Sequence, residues 1–167
     1  TCFAGCAKPA DKTDGTTGTT GAAQTTDSAY VASNKKIVVG ITDYAPMDYK
    51  DENGEWIGFD ADYARAVCAK LGVTAEFKEI EWENKLISLE AGEIDCIWNG
   101  FTANTSDDDG VARADKVDFS YNYMGNKQVI VAKKDTTIKA AADLNGKKGA
   151  AEKGSAGETY AKTFEGA

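Results

Sequence analysis

From Lys36 onward, short apolar runs alternate with longer amphipathic stretches, and this alternation constrains the fold more than any other feature of the sequence. Ile37-Val38-Val39-Gly40-Ile41 is a run of buried-strand type. From Asp60 to Leu71, the residues Tyr63, Ala64, Val67, Cys68 and Leu71 share one face of a helix that Asp60 can cap and Gly72 ends. Between these two elements, Asn53-Gly54 is a turn signal separating segments that can pair. Val73 to Ile80 reads as the next strand, Glu83 to Ala91 as a helix stopped by Gly92, and Ile94 to Trp98 as a third strand. Such alternation predicts an α/β fold with a mostly parallel sheet, and sheets of that kind bind ligands beyond the carboxyl ends of their strands. Further on, Gln128 to Lys133 reads as a strand, Ile138 to Leu144 as a short helix, Lys148 to Ala151 as a weak strand and Ser155 to Phe164 as a helix. The architecture is expected to continue beyond Ala167.

Ahead of Lys36 the composition changes. Cys2-Phe3-Ala4-Gly5-Cys6 resembles the end of a secretory signal peptide running into a lipobox, with Phe3 where Leu is more usual, and predicts a lipid on Cys6. Residues 1–6 are therefore expected to be a clipped signal remnant. From Ala7 to Ser33, Thr, Gly, Ala and Asp dominate and almost nothing large and apolar precedes Tyr30, so 7–35 is expected to be a disordered tether. No stretch approaches the roughly 20 consecutive apolar residues of a membrane-spanning helix, which leaves the lipid as the means of holding the chain at a membrane.

Charge and composition exclude several functions. The 27 acidic residues against 19 basic ones give a net charge of −8, which opposes a phosphate backbone and makes nucleic acid an unexpected partner. There is no histidine, so the usual general base near neutral pH, the Ser/His and Cys/His pairs and the commonest metal ligand are all absent. No CxxC occurs among the 4 cysteines, and neither a metal, a cofactor nor an enzymatic activity is expected. Cys68 and Cys96 lie among apolar neighbours and read as free thiols, with a disulfide as the other reading for an exported chain.

Four places carry groups suited to binding a small polar ligand. Trp98-Asn99-Gly100-Phe101-Thr102 follows directly on a predicted strand, where the Gly100 carbonyl and the Thr102 hydroxyl could meet a ligand ammonium; Thr102 could equally cap a following helix. Arg113 is the only arginine besides Arg65, and a planar guanidinium holds a carboxylate by two parallel hydrogen bonds in a way lysine cannot. Lys153-Gly154-Ser155-Ala156-Gly157-Glu158 puts small residues at a helix start with unpaired N–H groups, and Ser155 with Glu158 also fits a capping box. Tyr44 and Trp82 each follow a predicted strand, where they could clamp a ligand side chain or simply pack in the core.

Over most of its length from Lys36, the sequence resembles the family 3 extracellular solute-binding proteins, the polar amino-acid binders of ABC importers. The motifs are Gly58-Phe59-Asp60-Ala61-Asp62 opening the first long helix, Gly92 to Gly100 leading into the ligand loop, Val117-Asp118-Phe119-Ser120 with Tyr123 before the hinge, and Ala142 to Lys148. The resemblance implies a type II, periplasmic-binding-protein-like fold of two lobes, with lobe one over 36–126 and a hinge strand and the start of lobe two over 127–167. It implies that Arg113 grips the ligand α-carboxylate and that Gly100 and Thr102 serve its α-amino and carboxylate groups. Asn99 would line the same wall, Tyr44 and Trp82 would pack the ligand side chain, and Ser155 with Ala156 would form the second-lobe carboxylate loop. Asp43 is an acid at the cleft rim that could contact a cationic group. The expected partners are an amino acid and an ABC permease, with the protein a lipid-anchored monomer on the outer face of the cell membrane. The acidic body and Asp43 favour a cationic amino acid, while polar neutral and cystine-like ligands stay open. An extracellular sensing domain of a signalling receptor is the alternative, and an enzyme on the same fold is a more distant one.

Overall fold

The computed structural model describes residues 26–107 and 109–164. Cys2, Cys6 and most of the expected tether therefore lie outside the described residues. Where the tether is described it differs from expectation, because Asp27–Asn34 forms a helix, α1. Thr26 caps it by accepting from the Ala29 N–H at 3.4 Å, and Val31 packs against the core and gives the helix something to rest on.

The main sheet is built around β1 (Lys36–Ile41); a separate two-stranded hairpin of β2 (Tyr49–Lys50) and β3 (Trp56–Ile57) follows it, and β4 (Thr74–Glu79) and β5 (Cys96–Ile97) flank β1 in the order β4-β1-β5. Both pairings are parallel. Lys36 lies against Thr74 and Ile41 against Glu79, while Val39 and Gly40 pair with Cys96 and Ile97. Ile37, Val39 and Ile41 are almost fully buried and meet Ala61 and Cys68 of α2 (Phe59–Leu71), forming the core with Trp56. Each such aliphatic side chain contributes about 1.5–3 kcal/mol on burial.

Asp60 does not cap α2 as expected; it sits inside the first turn, 1% exposed, and Gly58 is the N-cap. The loop before the helix makes a side-chain cap unnecessary, since Pro46 O accepts from Phe59 N–H at 3.2 Å and Met47 O from Asp60 N–H at 2.9 Å. Gly58 has φ +117°, and a Cβ there would collide with the Met47 carbonyl, so only glycine allows that close approach.

The predicted helix over 83–91 divides into a 3-10 turn, Trp82–Asn84, and α3, Lys85–Glu90. The third strand is shorter than expected. Its entry is held differently, with Asp95 donating its N–H to Val38 O at 2.8 Å and accepting the Val38 N–H on its carboxylate at 2.7 Å. α4 is a single turn, Arg113–Lys116, and α5 spans Ala156–Ala161 behind its N-cap Ser155. No strand forms over 128–133 or 148–151, and 138–144 yields only a 3-10 turn at Ala141–Leu144. Among the described residues no further strand is there to pair with, so Val129 and Val131 stand 75% and 89% exposed. Cys68 and Cys96 are free thiols, and burial raises both, Cys96 up to about 12. Among the described residues no helix is long and apolar enough to cross a membrane.

Candidate functional site

The parallel register brings the carboxyl ends of β1, β4 and β5 to one edge of the sheet, and the chain leaves that edge through Thr42–Tyr44, Ile80–Trp82 and Trp98–Gly100. A cavity of about 170 Å³ lies there. Tyr44, Trp82, Asn99, Gly100, Thr102 and Arg113 contribute to its lining, and Ser155 and Ala156 at the start of α5 join them from far along the chain. Asp43 is the one residue of the expected site that does not line it; its side chain is exposed to solvent. The volume is below the roughly 300–1,000 Å³ of drug-sized sites, so the cavity suits a small occupant.

Arg113 is 1% exposed, which makes its partners decisive. Its Nε donates to Asp107 Oδ1 at 2.8 Å, Nη1 to Thr102 O at 3.1 Å and Nη2 to Gly154 O at 3.1 Å, while the guanidinium lies 4.7 Å from the Phe101 ring centre. Burial alone would raise the Asp107 carboxyl, but hydrogen bonds from Arg113 and Lys116, together with their charges, outweigh it and hold Asp107 below the usual carboxylate range. An ionised Asp107 thus orients a charged arginine in the cavity lining.

The strand-end turn is also held. Asn99 Nδ2 donates to Thr42 Oγ1 at 2.6 Å, and its Oδ1 accepts the Gly100 N–H at 2.6 Å, so the Asn99 amide braces the wall that it lines. Thr102 caps no helix, because α4 begins behind Ala112; its carbonyl serves Arg113 and its hydroxyl accepts from Asn126 Nδ2 at 3.3 Å. A Cβ on Gly100 would lie 3.1 Å from the Tyr44 ring, so glycine is what lets that ring approach. Trp82 is 8% exposed and packs edge-on to Phe101 at 5.4 Å, whereas Tyr44 is largely open. Ser155 accepts the Glu158 N–H at 3.0 Å and Glu158 accepts the Gly154 N–H at 2.7 Å, so the helix start is capped while still facing the cavity.

A family model described as bacterial extracellular solute-binding proteins, family 3, matches residues 37–163. The chain belongs to this family. It is 31% identical over 137 residues to the arginine-binding extracellular protein ArtP of Bacillus subtilis (strain 168), covering 81% of this chain and 51% of that protein. It is 39% identical over 124 residues to a probable amino-acid ABC transporter-binding protein of Haemophilus influenzae, covering 72% of this chain and 45% of the relative. An ABC uptake transporter substrate binding protein from Streptococcus pneumoniae, solved with bound histidine, superposes with a TM-score of 0.71 at 39% identity over 80% of this chain and 52% of that one. The chain spans about half the length of the curated relatives it matches. Its α/β architecture with a parallel sheet is that of the type II periplasmic binding proteins.

Three polar residues at or beside the candidate cavity carry no signal that single-sequence reading picks out. Lys85 is 3% exposed and donates to the carbonyls of Trp82 and Gly154, each at 3.2 Å; burial and then the Arg113 charge lower its pKa. Gly154 O therefore receives both Lys85 and Arg113. Gln128, at the start of the segment expected to be a strand, and Glu152, just past the expected weak strand, also line the cavity. A larger hollow of about 290 Å³ abuts Gly154 and Lys85, but its charges are matched internally, Lys116 with Asp107 and Asp109, and Lys153 with Glu83. The smaller cavity is the better candidate, because it alone sits at the strand ends.

Proposed function

We propose that this chain captures an amino acid as the substrate-binding component of an ABC importer. The observation that carries the reading is the buried Arg113, held by Asp107, in a cavity shared by the strand-end turns and the start of α5. In this reading Arg113 takes the ligand α-carboxylate together with Thr102 and the Ser155–Ala156 turn, Gly100 and Asn99 form the wall beside it, and Tyr44 and Trp82 flank the side chain, with Asp43 at the rim. The names of its relatives, which include arginine-binding and amino-acid transporter-binding proteins, support an amino acid as the ligand class.

Closure follows from thermodynamics. A ligand that touches both Arg113 and the Ser155 turn when they are close, and only one when they are apart, shifts the population toward the closed form, which the permease would recognise. No bond is made or broken. The location is extracytoplasmic, and a lipid on Cys6 anchors the chain, as a monomer, to the outer face of the cell membrane.

The test is thermal stabilisation of the protein, expressed from its complete gene without Cys6, by each common amino acid and by cystine. Ligand present at a thousand times its Kd adds about 4 kcal/mol. A clear shift that Arg113→Ala removes is the expected result, and no shift with any amino acid would sink the reading.

A further inference from the structure

The charges lining the cavity are unequal in their freedom to meet a ligand. Arg113 is the positive one, and Asp107 already partners it at 2.8 Å. Glu152 is the negative one, and it makes no ion pair with a described residue. Lys85 lies near Glu152, yet Glu152 is the weakest of the charges acting on it, and the Lys85 ammonium is turned to the carbonyls of Trp82 and Gly154. The Glu152 backbone is tied to the same turn as Ser155, since its carbonyl accepts the Ser155 N–H at 3.2 Å. The cavity thus offers a carboxylate in its lining, a guanidinium neutralised by a protein acid, and the Tyr44 and Trp82 rings, whose faces attract cations.

We propose that Glu152 selects a ligand whose side chain ends in a cation, meeting a guanidinium or ammonium while the ligand α-carboxylate lies toward Arg113. This rests on the amino-acid reading above and narrows it to cationic side chains. A carboxylate at this place favours a charged group over its neutral isostere, and closing the cavity strengthens that preference by removing water from the pair.

The experiment compares arginine with citrulline, which replaces the guanidinium by a neutral group of nearly the same shape, on the wild-type protein and on Glu152→Gln by calorimetry. Glutamine and histidine serve as further amino-acid probes. The wild type is expected to bind arginine at least about tenfold more tightly than citrulline, and E152Q to lose about tenfold for arginine while citrulline changes by less than about twofold. Equal loss for both ligands would overturn the proposal and assign Glu152 to the α-ammonium. An unchanged arginine affinity would overturn it by leaving the carboxylate in solvent. Tight binding of glutamine or histidine with none of arginine defeats the cationic preference but keeps amino-acid capture; binding of no amino acid defeats both. Glu152 is exposed, so the variant is expected to fold, and an unchanged melting temperature without ligand checks it.

Discussion

Asp48 and Asp60 face the interior with 0% and 1% exposure, and none of their four carboxylate oxygens has a hydrogen-bond partner among the described residues. Burial raises Asp48 from its ordinary 3.8 to about 7, the Asp60 charge adds to the rise, and the nearby polar Ala61 backbone N–H offsets only part of it. Asp60 is raised as well, first by burial. In the unfolded chain Asp48 loses its proton near 3.8, so between about pH 4 and 7 the folded state holds more protons than the unfolded one, and stability falls as pH rises through that window. At about 1.4 kcal/mol per pH unit the loss approaches about 4 kcal/mol above pH 7, an upper value for one group. Asp48→Asn keeps the shape and removes the charge. It is expected to gain little at about pH 4 and up to about 4 kcal/mol at about pH 8, read from urea unfolding midpoints of wild type and variant across the range. The acids held low by partners, Asp107 and Asp109 among them, act in the opposite direction and cancel in the comparison. A wild type that outlasts the variant at pH 8, or a difference that does not change with pH, would refute the reasoning.

Two further outcomes test the fold and the anchor. Gly58→Ala is expected to cost at least about 2 kcal/mol, because the new Cβ meets the Met47 carbonyl at a positive φ, while Gly72→Ala, also at positive φ but facing open space, is expected to cost about 1 kcal/mol; equal urea midpoints for the two would remove the close-approach argument. Cys6→Ala in the complete gene product is expected to move the protein from the membrane fraction to the soluble one, and its retention with the membrane would sink the lipid anchor.

The sheet was legible because its cause is local and periodic. Ile37 to Ile41 declares itself by its apolar run and Thr74 to Glu79 by the alternation of Ala75 and Phe77 with polar residues after the helix-ending Gly72, and the pairing of β1 with β4 follows once a helix of the right length joins them. The segment from Gln128 to Lys133 has the same local content as β1, yet it forms no strand. A strand is a relation between two segments, and the apolar pattern of one of them cannot supply the other. The same reasoning explains α1, whose residues look like a tether by composition but have Thr26 to start the helix and the flank of β1 to receive Val31.

At the site, the residues that were legible are those whose chemistry is unusual for their type of position: a lone arginine, glycine and asparagine directly after a strand, aromatics at strand ends. Lys85 and Glu152 escaped because a lysine in a short helix and a glutamate beside it in composition are the most ordinary surface residues a chain has. What separates them from their neighbours is where the fold puts them, Lys85 buried and Glu152 exposed at the cavity lining. Lys85 is closed in by the Trp82 and Phe101 rings at 4.8 and 5.7 Å and has carbonyls to receive its protons, and Glu152 faces a cavity wall with no cation assigned to it. Charge sign is written in the sequence, but the counter-charge is written in the fold, and selectivity depends on which charges the protein has left for the ligand to answer.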